Sequence, residues 1–275
     1  MPEIVKGDGS RELFNIHKLA DSLVRSGADA PLANSVAEKI GATVTDGMTT
    51  QAIYREAYRI LHKEERVTAA KYSMRRAILE LGPTGFPFED YVSELMRAKG
   101  YTVRTRVIVE GKCADHEVDV VMEKDGRTIG AELKFHNENG YKSDIKTALY
   151  VRARFTDIEA ASQAEARRAL NIHEGWLITN TKFTDNAIAY AECAGIHLLG
   201  WDYPRRGNLG DIIRETGLYP VTVLTSLTGA EKAKLLAAQM PLCSTVQNAD
   251  ALRKAGIPEK KIKAAMEESI KLCQI

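Results

Sequence analysis

Residues 116–136 read His116-Glu-Val-Asp-Val-Val-Met-Glu-Lys-Asp-Gly-Arg-Thr-Ile-Gly-Ala-Glu-Leu-Lys-Phe-His136. They hold two strand signals, 117–122 and 128–135. Asp119 stands among β-branched residues, where an acid is costly without a cation partner. Glu132 and Lys134 are two apart, so in a strand they share a face and Leu133 takes the other. If the strands pair as a hairpin, Asp119, Glu132 and Lys134 converge at one end of a sheet. Two carboxylates with water completing the shell suit Mg²⁺, which polarises a phosphate and lowers the pKa of a bound water. A lysine beside them stabilises developing charge or helps orient and deprotonate the water. Glu-x-Lys also occurs at Glu110-Gly-Lys112 and Glu259-Lys-Lys261, but only the copy at 132–134 lies inside an apolar strand. The plainer alternative places Asp119 and Glu132 at solvated strand ends with Lys134 as their ion-pair partner.

Outward from these strands, 88–99 reads as an amphipathic helix with Phe88, Tyr91, Val92, Leu95 and Met96 on one side, ended by Gly100. Glu89 on this helix can add a second metal contact or position the nucleophile. A strand at 101–109 precedes the pair. A long helix at about 143–170, a strand at 176–179, a helix at about 184–194 and a strand at 196–199 follow. This order predicts a mixed α/β sheet over 84–205, which begins after the helix-breaking stretch Leu81-Gly-Pro-Thr-Gly-Phe-Pro87.

Three of these stretches, Phe88-Glu-Asp-Tyr-Val-Ser-Glu-Leu-Met-Arg-Ala-Lys-Gly-Tyr101, His116-Glu-Val-Asp-Val-Val121 and Gly130-Ala-Glu-Leu-Lys-Phe-His136, resemble the PD-(D/E)XK nucleases. The resemblance is to their Mrr-like and archaeal Holliday-junction-resolvase branches. It implies a restriction-endonuclease-like fold, with Glu89 as the helix glutamate, Asp119 as the metal-binding aspartate, and Glu132 and Lys134 as the Glu-x-Lys pair. The implied metal is Mg²⁺ or Mn²⁺, held by Asp119 and Glu132, and the implied partner is DNA. Val118 takes the place that proline often fills before the aspartate. His136, Lys142, Arg152 and Arg154 face phosphate or are ordinary solvated cations. Gln163 stands where some Mrr-like enzymes carry a functional glutamine, and His116 either supports a metal ligand or ends a strand.

Residues 1–82 open with a hairpin signal turning at Asp8-Gly9, followed by helical stripes at 16–24, 32–40, 53–61 and 74–81. Val5-Lys-Gly-Asp-Gly-Ser-Arg-Glu-Leu-Phe-Asn-Ile-His-Lys18, Gly47-Met-Thr-Thr-Gln-Ala-Ile53 and Ala69-Ala-Lys-Tyr-Ser-Met-Arg75 resemble the ATP-cone, an allosteric nucleotide module. Gly7 departs from the arginine usual in that family. The resemblance implies ATP or dATP as ligand. Lys6, Arg11 and Lys18 would meet phosphate, Glu12 and Asn15 base or ribose, and Thr50 would lie at a helix start with free N–H groups. Gly111-Lys112 is followed by Cys113, so this stretch is not a phosphate-binding P-loop.

Residues 206–275 read as helices, and Leu252-Arg-Lys-Ala-Gly-Ile-Pro-Glu-Lys-Lys-Ile-Lys263 vaguely resembles a helix-hairpin-helix DNA-binding unit. A helical cap or dimerisation element fits equally. The whole chain of 275 residues carries a net charge of +1, and its segments 1–83, 84–205 and 206–275 carry +1, −3 and +3. Neutrality excludes bulk electrostatic binding of nucleic acid but leaves a local basic surface. Four scattered cysteines signal neither zinc nor a disulfide framework. No long apolar run or signal peptide is present, so a cytoplasmic protein is expected.

The expectation is therefore a multidomain α+β chain: an ATP-cone-like bundle (1–82), a nuclease domain (84–205) and a helical tail (206–275). Its expected activity is metal-dependent DNA cleavage tuned by ATP or dATP, in a homodimer or higher homo-oligomer. The alternatives are a nucleotide-responsive DNA-binding regulator with an inactive nuclease-like core, and a nucleotide-gated oligomerisation module acting on a protein partner.

Overall fold

A computed structural model describes residues 1–138, 140–163 and 170–273. The chain opens as the expected hairpin, β1 (Glu3–Val5) and β2 (Arg11–Leu13), with Gly9 at φ +82° in its turn. Helices α1 (Ile16–Arg25), α2 (Ala30–Gly41) and α3 (Thr50–Glu64) each begin at a side-chain cap, from Asn15, Asp29 and Thr49. Ile4, Phe14, Leu23, Val36, Ile40, Ile53 and Leu61 close a core of their own. Two short helices, α4 (Arg66–Tyr72) and α5 (Met74–Leu79), end this part. The sequence pattern missed α4 because it buries three consecutive residues, Thr68, Ala69 and Ala70, and so shows no helical stripe.

Helix α6 (Phe86–Ala98) leads into β3 (Thr102–Glu110), β4 (Asp115–Lys124) and β5 (Arg127–Lys134), an antiparallel meander. A two-residue strand β6 (Lys142–Ser143) and α7 (Ile145–Gln163) follow. Next come β7 (Glu174–Thr179), β8 (Lys182–Phe183), α8 (Asp185–Ala194) and β9 (Ile196–Leu199). The sheet order is β3-β4-β5-β7-β9, with β5, β7 and β9 parallel, and β6 pairs with β8 beside it. This is a mixed sheet within an α+β chain, as the sequence predicts. The expected long helix to about 170 is seen as far as Gln163, and residues 164–169 lie outside the described residues.

Helices α9 (Leu209–Thr216), α10 (Gly229–Ala237), α11 (Ala249–Lys254) and α12 (Glu259–Cys273) complete the chain. They do not form a separate core. Ile78 and Leu81, Phe88, Tyr91 and Leu95 of α6, sheet residues such as Met122 and Ala131, and Leu235, Leu252 and Leu272 of the tail belong to one apolar cluster. Tyr91 Oη donates to the Leu218 carbonyl (2.7 Å) and Thr222 Oγ1 to that of Ala77 (2.6 Å). The helix-breaking stretch at 81–87 is thus a bend through shared packing, because Leu81 itself is fully buried.

One irregularity shapes the sheet. Val103 packs with α6 while Val107 and Val109 pack under α7 and α8; in β4, Val120 and Met122 lie on the first side and Val118 on the second. A regular strand keeps residues of equal parity on one face. The break falls at Arg106, a non-glycine residue at φ +53°, and across from it at Asp119.

Candidate active site

Pairing of β4 with β5 stops at Val120↔Ala131. Beyond it the Asp119 carboxylate takes over as acceptor, with Oδ2 receiving the Leu133 N–H at 2.7 Å. This brings Asp119 beside Glu132, whose charge, after burial itself, pushes the Asp119 carboxyl above its ordinary range; the Leu133 N–H, Lys134 and Arg154 pull it back. The other Asp119 oxygen has no hydrogen-bond donor among the described residues.

Glu132 is only 3% exposed. Its Oε1 accepts from Lys134 Nζ at 2.6 Å and its Oε2 from Arg154. Arg154, one of the cations in doubt from sequence, reaches it from α7, also donates to the Glu117 carbonyl (2.7 Å) and to Tyr150 Oη, and stacks on the Tyr150 ring. Its Nε is buried without a hydrogen-bond partner among the described residues. Lys134 lies 5.8 Å from the centre of the same ring, with about a third of its side chain exposed. The solvated-end alternative fails for Glu132, which is buried between two cations.

Glu89, in the first turn of α6, approaches from the opposite side. Arg106 Nε donates to its Oε2 at 3.2 Å and Arg106 Nη2 to Asp90 at 3.0 Å. Burial, then the nearby Asp119 charge, raises the Glu89 carboxyl above its usual range, and Arg106 opposes this. Sequence reasoning missed Arg106; its only signal was alternation of charge along 104–106, which any solvated strand shows. It also missed Tyr150 and the buried pair Thr179 and Asn180. Thr179 Oγ1 donates to the Lys134 carbonyl (2.7 Å), and Asn180 bonds both the N–H and the carbonyl of His136 (2.9 and 2.6 Å), holding the end of β5.

The other nominated residues divide. His136 stacks on Tyr141 at 3.8 Å, and burial followed by Lys134 lowers its pKa. Lys142 lies near the Asp8 carboxylate of the N-terminal hairpin. Arg152 pairs with Glu159 (3.7 Å), away from the carboxylates. His116 bonds Asp157 (2.9 Å), which also accepts the Cys113 N–H and so clamps the β3–β4 turn; it serves structure. Gln163 ends the described part of α7, more than two turns beyond Arg154, and has no hydrogen bond to the carboxylates among the described residues.

Of the hairpin residues, Lys6 and Lys18 both pair with Glu12 (2.8 and 3.2 Å). Arg11 instead pairs with Glu3 (3.1 Å), and the Asn15 side chain is spent capping α1 through the His17 and Lys18 N–H groups. Thr50 opens α3, whose cap Thr49 bridges to Val5. In the tail, Gly256 (φ +76°) makes the expected turn, but Lys234 bonds its carbonyl, and Asp250 and Glu259 hold Arg253. Among the described residues no three His, Cys, Asp or Glu side chains are grouped to hold a metal, and no helix is long and apolar enough to cross a membrane.

Residues 82–202 match the restriction endonuclease family, and residues 219–273 match the family described as AF1548-like, C-terminal. An uncharacterized protein of Archaeoglobus fulgidus is 35% identical over 183 residues, which is 66% of this chain and 99% of that protein. The crystal structure of a protein of unknown function, AF1548, superposes with a TM-score of 0.58 at 32% identity, covering 69% of this chain and 98% of that one. MspJI restriction endonuclease in complex with a 27-mer oligonucleotide aligns only at a TM-score of 0.33 and 15% identity, over 69% of this chain and 36% of that one.

Proposed function

Because this chain belongs to the AF1548-like proteins and carries a restriction-endonuclease domain over residues 82–202, we propose that it is a divalent-metal-dependent DNA endonuclease. The observation that carries this reading is the meeting of Asp119, Glu132 and Lys134 at the frayed end of the β4–β5 pair.

The donor chemistry fits Mg²⁺ or Mn²⁺: two hard carboxylates, one with an oxygen free among the described residues, set so close that the Glu132 charge disfavours that of Asp119. With two protein ligands, Asp119 and Glu132, the remaining positions fall to water and phosphate oxygen. The metal would supply a Lewis acid and a water of lowered pKa. Lys134, partly exposed and steadied by Tyr150, would stabilise charge developing on the phosphate. Arg154 holds Glu132 in place, and Arg106 does the same for Glu89, which would position the attacking water. Tyr150, over which Lys134 and Arg154 lie, and Tyr141, stacked on His136, are both exposed and would offer rings to a nucleic-acid strand. Cleavage of both strands would need two copies, hence a homodimer. Nucleotide control by the N-terminal part remains an expectation of the sequence resemblance.

The full-length protein is expected to nick or cut a plasmid and branched-DNA panel with Mg²⁺ and to stop with a chelator. Asp119→Ala and Lys134→Ala should each lose about 100-fold or more of that rate. Wild-type rates in either variant would sink the assignment. A second reading, a DNA binder with an inactive core, draws on the two cations already paired to Glu132. Tight, metal-independent DNA binding with no cleavage of any substrate would favour it.

A further inference from the structure

Between the N-terminal helices and the sheet domain lies a cavity of about 730 Å³, walled by the end of α1, α4 and α5 on one side and by the β9–α9 connection on the other. Its charges are unequal. Lys182 and Arg214 are neutralised by Asp202 and Asp211. Arg25, Lys71, Arg75 and Arg205 also line it, and none of the four makes an ion pair or hydrogen bond to an acid among the described residues. Lys71 Nζ lies 5.9 Å from the centre of the Tyr219 ring. Arg75 is half-buried; burial works against its charge and Asp202 alone offsets this.

Four cations without an acid partner gathered round one cavity make its potential positive, and an anionic guest would be drawn there most strongly beside the half-buried Arg75. The cavity also presents flat faces. Tyr72, stacked on Tyr54 with ring centres 5.0 Å apart, and Trp201 both line it. Its volume suits a drug-sized ligand and excludes a duplex.

We propose that this interdomain cavity binds a nucleoside polyphosphate, with Arg25, Lys71, Arg75 and Arg205 on its phosphates and the aromatic walls beside its base. Guanidinium groups match phosphate oxygens in pairs, and three of the four cations are arginines. The site is distinct from the hairpin, where Glu12 already balances Lys6 and Lys18. It does not depend on the nuclease reading, since binding is measured directly.

The test is calorimetric titration of ATP, inorganic triphosphate and adenosine into the full chain and into Arg75→Gln, Arg205→Gln and Lys6→Gln/Lys18→Gln. Saturable ATP binding that weakens with salt, exceeds that of triphosphate and of adenosine, and falls about tenfold in Arg75→Gln and in Arg205→Gln would support the proposal. Arg205 is exposed, so its variant stays informative should Arg75→Gln fold poorly. No saturable binding of ATP, unchanged affinity in the variants of the cavity, or a loss confined to the hairpin variant would overturn it.

Discussion

Glu132 is the residue on which the candidate centre turns, and its surroundings show how a buried acid is partnered. Desolvation in the sheet interior is compensated by Lys134 on its own strand and by Arg154 from α7. Removing one partner leaves a buried charge half-balanced, so Arg154→Met is expected to destabilise the protein by roughly 3 kcal/mol. Arg154→Lys should recover only part of this, because a single ammonium cannot reach Glu132, the Glu117 carbonyl and Tyr150 at once. Chemical denaturation of the three proteins checks both statements; wild-type stability in Arg154→Met would mean that Lys134 alone suffices. Glu132 and Lys134 were legible in the sequence because a period of two puts them on one face, and Asp119 because an acid stands out in an apolar strand; the change of face at Asp119 was not legible. Arg154 was named among several cations but could not be singled out, since its partner lies 22 residues away and is reached only through the crossover helix.

At the level of elements, the parallel joint of β5 with β7 is cut to fit one ring. Gly130 and Gly175 are register partners, and a Cβ on either would lie 2.6 or 2.5 Å from the Phe155 ring. Gly130→Ala should therefore cost about 1–3 kcal/mol, and Phe155→Leu in the same chain should relieve part of it; additive losses by thermal melting would refute the steric account. Helix α10 offers an electrostatic counterpart. The Glu231 carboxyl, bonded by Lys261 and by the Thr228 N–H and hydroxyl of a capping box, is held down to about 2. A carboxyl lowered on folding adds stability above its ordinary value near 4.5, and that contribution fades as pH falls toward 2. Glu231→Gln should lower the melting temperature at neutral pH and flatten the fall in stability below pH about 4.5. An unchanged pH profile would show that the cap carries no such linkage. Strand and helix positions in this region followed from periodicity. The two-residue strands β6 and β8 did not, because such short pairings carry no periodic signal.

Across the whole molecule the three segments of the sequence meet in shared packing. The tail packs on α6 through α9 and through the Leu218 carbonyl that accepts from Tyr91 Oη, and Leu235, Leu252 and Leu272 belong to the cluster that also holds Tyr91 and Leu95. Deleting 206–275 should therefore expose that face of α6 and abolish a cooperative melt of the remainder; a sharp, unshifted transition by circular dichroism would show the tail to be dispensable. By itself the sequence determined the order of the longer elements, the placing of Glu132 and Lys134 on one face of a strand with an acid-bearing strand before it, and the restriction-endonuclease resemblance. These are local facts, set by periods of two and of 3.6, by turn residues and by motif spacing. Only the tertiary structure decided that Arg154 and Arg106 hold the carboxylates, that the strands change face at Arg106 and Asp119, and that Arg25, Lys71, Arg75 and Arg205 line one cavity. Each of these joins residues far apart in the chain, and their meeting depends on how helices close over a sheet, a packing outcome that no local pattern encodes.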